Sequence, residues 1–64
     1  MNRCCKAERR AVLWRVFNQL RAEATNAEAK TRLFDGVPLV AARWRWMARE
    51  LRRQAAIVRG MMRL

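Results

Sequence analysis

The side chains best equipped for chemistry in this chain are guanidiniums. Arg45, Arg49, Arg52, Arg53, Arg59 and Arg63 crowd the second half, where Glu50 is the only acid after Asp35. Each arginine offers a planar fork of donors that fits phosphate or carboxylate oxygens and also stacks on flat rings. Trp46 falls among them, and an aromatic plate between guanidiniums suits an unpaired base or a pocket on a protein partner. Arg45, Arg49 and Arg53 are successive i, i+4 neighbours, a spacing at which like charges destabilise a helix. The first half is different: Glu8, Glu23 and Glu28 are mixed with its bases, and Glu28 with Arg32 forms a favourable i, i+4 pair. This asymmetry of charge is the most informative feature of the sequence.

Covalent and metal chemistry are poorly provided for. The chain has no His, Ser or Tyr; its side-chain hydroxyls are Thr25 and Thr31 and its thiols Cys4 and Cys5. A Ser-His-Asp site is excluded, and two adjacent cysteines cannot supply the four ligands of a structural zinc. The expectation is a non-enzymatic chain with no catalytic residue, no metal and no cofactor. Its formal net charge of +10 favours polyanions, because each base that neutralises a phosphate releases counterions. The favoured function is therefore a small regulatory protein that binds nucleic acid through Arg45, Trp46, Arg49, Arg52, Arg53 and Arg59. The alternative is an inhibitor or adaptor that docks the same Arg/Trp face, with Ile57, on an acidic partner protein. A helix-turn-helix reader is disfavoured, because bulky Arg32 stands four residues before Gly36, where close helix packing wants a small side chain.

These residues must be carried by helices. Ala occurs 11 times and Arg 13 times, both strong helix formers. The one clear break is Asp35-Gly36-Val37-Pro38, where Gly permits positive φ and Pro fits a first helical turn. The spacing predicts an all-α antiparallel hairpin: a helix over about 5–34, a turn at 35–37 and a helix over about 38–62. Leu13, Phe17, Leu20, Ala24, Ala27, Thr31 and Phe34 alternate four and three apart, as do Val40, Trp44, Met47, Leu51, Gln54, Val58 and Met61. That is the stripe of a left-handed packing seam, with Ala41, Ala48 and Ala55 running beside it. Thr25-Asn26-Ala27-Glu28 has the form of a capping box, but the stripe runs through it and the first helix is expected to continue.

A chain of 64 residues hides only about 60% of its unfolded surface, so help from a second copy is expected. Two hairpins docked as a homodimeric four-helix bundle would cover Leu13, Phe17, Leu20, Phe34, Val40, Trp44, Met47, Leu51 and Val58. No window approaches the ~18 apolar residues that span a bilayer, and Met1–Arg10 lacks the apolar run of a secretory signal. A bridge between neighbouring Cys4 and Cys5 would close almost no loop, so two unpartnered thiols suit a reducing cytoplasm. Leu13-Trp14-Arg15, with Phe34 downstream, resembles over three residues the Leu-Tyr-Arg family of small mitochondrial helical adaptors. Trp14 stands where that family has tyrosine and the chain is short for its three-helix fold, so no membership follows.

Overall fold

The computed structural model describes residues 2–63, with side chains described from Lys6 to Arg63. The thiols of Cys4 and Cys5 lie outside the described side chains. Helix α1 spans Asn2–Leu33 and helix α2 spans Pro38–Met62, and no strand occurs among the described residues. The helices pack against each other along their lengths. They run antiparallel: Lys30 meets Trp44 near the turn, Glu28 meets Arg52 midway, and Phe17 meets Arg59 toward the open end. Among the described residues no helix is long and apolar enough to cross a membrane.

Helix α1 passes unbroken through Thr25. The Thr25 hydroxyl donates to the Arg21 carbonyl at 3.1 Å, and Thr31 donates to the Ala27 carbonyl at 3.0 Å. A hydroxyl bonded back one turn is unavailable to cap a new helix, so the Thr-x-x-Glu pattern is spent inside the old one. The turn closes through Asp35 N–H to the Arg32 carbonyl and Val37 N–H to the Phe34 carbonyl, at 3.3 and 2.8 Å. Val37 is extended (φ −124°, ψ 88°), the conformation imposed on a residue before proline. Pro38 opens α2, where its missing N–H costs nothing. Gly36 departs from expectation: its φ is not positive, and a Cβ there would meet nothing within 4 Å. The tight turn needs neither its left-handed freedom nor its small size.

The seam of α1 falls where the spacing places it, with Leu13 through Phe34 of the stripe all buried or half-buried. The seam of α2 is turned. Its buried residues are Ala41, Ala48 and Ala55, alternating with half-buried Trp44, Leu51 and Val58. Val40 and Met47 lie half-buried on one flank, while Gln54 and Met61 are exposed. Trp44, Leu51 and Val58 belong to both lines, and adjacent helical positions differ by about 100°, so exchanging the other row for the alanines turns the contact line by about 50°. Two helices alone share only a line of contact, and a row of alanines lets their backbones approach closely along it. The bulky residues spill to the side, where a third surface would be needed to bury them.

Of the nine expected core residues only Phe17 is buried, at 6% exposure; Leu13, Leu20, Phe34, Val40, Trp44, Met47, Leu51 and Val58 are half-buried. The hairpin is correspondingly thin, 54 × 14 × 11 Å, with a radius of gyration of 15.3 Å against about 11 Å for a compact domain of this length. Its accessible surface is 5594 Å², whereas a compact monomer of this mass exposes about 4,300 Å².

Candidate functional site

Turning the α2 seam onto its alanines changes where the arginines point. Arg45, Arg52 and Arg59 are seven apart and lie four residues after Ala41, Ala48 and Ala55. Each is therefore about 40° from its alanine around the helix, beside the contact line. With the expected seam of α2 turned inward, the spacing would put this set on the opposite side; the structure corrects that, and these arginines flank the seam. All remain exposed.

Along that flank three concavities run end to end. The first, at the open end, is lined by Arg10, Trp14, Arg59, Met62 and Arg63. The next shares Arg59 and adds Phe17, Arg21, Arg52, Ala55 and Ala56. The third shares Arg52 and adds Glu28, Thr31, Arg32, Arg45, Ala48 and Arg49 near the turn. Together they form a groove about 27 Å long, taking ~1.5 Å per residue from Arg45 to Arg63. Eight arginines line it against a single acid, Glu28. Each concavity holds about 250–270 Å³, below the ~300–1,000 Å³ of pockets that enclose small organic ligands. The shape fits an extended ligand tracked along its length.

The groove is internally braced. Arg52 grips Glu28 through both ends of its fork, its Nε donating to Oε2 at 3.2 Å. The bond from Arg52 holds the Glu28 carboxyl below its usual value of 4.5, aided by the charges of Arg52 and Arg32, and it raises Arg52 in turn. Glu28 is thus partnered across the hairpin by Arg52, where the sequence pattern paired it with Arg32. The Phe17 ring has the Arg21 and Arg59 guanidinium carbons each 5.7 Å from its centroid. Trp14 packs edge-on against Phe17 with ring centroids 5.6 Å apart.

Of the six expected contact residues, Arg45, Arg49, Arg52 and Arg59 come together in the groove. Trp46 and Arg53 do not. Trp46, 59% exposed, lies on the outward face of α2, the side that also carries exposed Leu39 and Ile57. Arg53 reaches Glu50 on its own helix, Nε to Oε2 at 3.7 Å. The reading of α2 alone missed Arg10, Arg21, Arg32 and Trp14 of α1. The signal for Arg21 was in the sequence: it follows Phe17 by one helical turn, directly beside the α1 stripe.

Comparison with protein-family models, with curated proteins and with solved structures finds no match for this chain.

Proposed function

We propose that this chain is a non-enzymatic nucleic-acid-binding protein that holds backbone phosphates along the arginine groove and acts as a homodimer. One observation carries the reading: eight arginines from both helices converge on one continuous groove that contains a single acid. Packing so much like charge together is unfavourable until an anion occupies it, and a polyphosphate supplies negative charge at regular intervals over the whole length. Counterion release then adds affinity independent of sequence.

The dimer rests on the other flank of the seam. There Val12, Val16 and Met61 are exposed beside half-buried Leu20, Val40, Met47 and Val58. The chain exposes roughly 1,300 Å² more than a compact monomer of its mass, and each partner of a standard interface buries about 800 Å². A second hairpin laid on this flank would complete a four-helix bundle and leave the arginine groove open to water. A reducing cytoplasm belongs to the same reading, through the adjacency of Cys4 and Cys5.

The rival partner, an acidic protein, needs an apolar anchor among the charges. The anchors expected for it, Trp46 and Ile57, lie on the outward face of α2, away from the groove, and the one exposed aromatic that lines the groove is Trp14 at its open end. Salt separates the two readings. Binding to DNA or RNA should weaken about 10³-fold or more between about 50 and 200 mM salt. Each groove arginine changed to alanine should lower the steepness of that dependence by about one. Absence of retention on either nucleic acid at low salt defeats the proposal. Sedimentation at micromolar concentration tests the dimer, and a folded monomer there removes it.

A further inference from the structure

We infer that the groove takes single-stranded nucleic acid in preference to duplex, with Trp14 as the platform on which one base stacks. The inference rests on the nucleic-acid reading above and adds which form is bound and which residue selects it. Trp14 is 45% exposed and lines the open-end concavity together with Arg10, Arg59 and Arg63. An indole left half in water on a small protein would ordinarily fold down onto the core. Here it packs at a steep angle to Phe17, which is itself buried, so the ring is braced while still accessible.

Charge and ring are also tied together. Arg59 lies over the same Phe17 ring and lines the same concavity as Trp14, which places a guanidinium fork beside the indole. A phosphate held by Arg59 would bring its attached nucleoside within reach of Trp14. Only an unpaired strand can exploit this, because the faces of duplex bases are covered by stacking and only their edges reach the grooves. The groove follows the line where the two helices meet. Base stacking on an exposed ring tolerates any sequence, since every base has a π-face. No base-reading side chain is therefore required.

The test measures binding of the full chain to a labelled single strand of mixed sequence, about 16 nucleotides long. The same strand annealed to its complement is measured in parallel at about 100 mM salt. The single strand should bind about tenfold more tightly than the duplex. Trp14→Leu, which keeps an apolar contact on Phe17 but cannot stack, should lose about tenfold on the single strand and little on the duplex. Trp14→Phe should retain most of the preference. Because the ratio of the two affinities is taken within each variant, partial loss of folding affects both arms alike. Equal binding of the two forms, or a ratio unmoved in Trp14→Leu, overturns this inference and leaves the proposed function standing. Failure to bind either form at low salt overturns both.

Discussion

The two flanks of one helical seam have opposite characters. On one side Arg45, Arg52 and Arg59 repeat every seven residues; on the other Val40, Met47, Gln54 and Met61 do the same. The arginines lie four residues after the alanine row that the helices share and the other row one residue before it, and both are left incompletely covered. The arginine flank gains from water and from anions, whereas the methionine flank gains only from another apolar surface. A chain too thin to build a core can thus spend its two edges on different partners.

The largest effect should come from the seam itself. Leu51→Asp places a charge on the contact line, and loss of about 3 kcal/mol or more should abolish the helical signal in circular dichroism. Arg49→Glu, two residues earlier on the groove side, should stay folded and lose polyanion affinity about tenfold or more. An unfolded Arg49→Glu would show that the flanks have been assigned to the wrong sides. Next in size, Met47→Lys should weaken self-association in sedimentation by about tenfold or more, since a charge added to an apolar interface is not compensated. If it changed phosphate binding but not assembly, the contrast between the flanks would be reversed.

A smaller effect is expected at Glu28, the one acid in the groove. Glu28→Gln releases Arg52 and should tighten polyanion binding a few-fold. The same substitution should slightly lower thermal stability at neutral pH. Because the folded carboxyl titrates below its usual 4.5, its contribution is present above that value and is lost as pH falls through the lower folded pKa. Variant and parent should therefore converge in acid, and a difference that persists there would mean the ion pair is not its source. Smallest of all, Gly60→Ala lies inside α2 with open space around its Cβ position. It should raise stability by up to about 1 kcal/mol, less if the last turn frays, without moving either binding property.

Much of the fold was legible before any coordinate. The Asp35–Pro38 break, the α1 stripe from Leu13 to Phe34 and the passage of α1 through Thr25 all follow from rules acting within a few residues. The candidate site was half legible. Arg45, Arg49, Arg52 and Arg59 stand out as a cluster of like charge, and Arg21 is marked by its place one turn after Phe17, but Arg10 and Arg32 are scattered among ordinary helix residues. Nothing local marks Trp14 as a groove residue, because its exposure depends on how Phe17 packs against α2.

What the sequence determined alone is periodicity and charge: two helices, one turn, a stripe on each and a surplus of arginine in the second. These depend on steric and electrostatic preferences along a single helix. The rotation of α2 was decided only by tertiary packing. The apolar stripe and the alanine row compete for the same partner, and close backbone approach along the alanines wins when just two helices meet. That turn of about 50° carries the arginines to the edge of the seam, where α1 supplies the other wall of the groove.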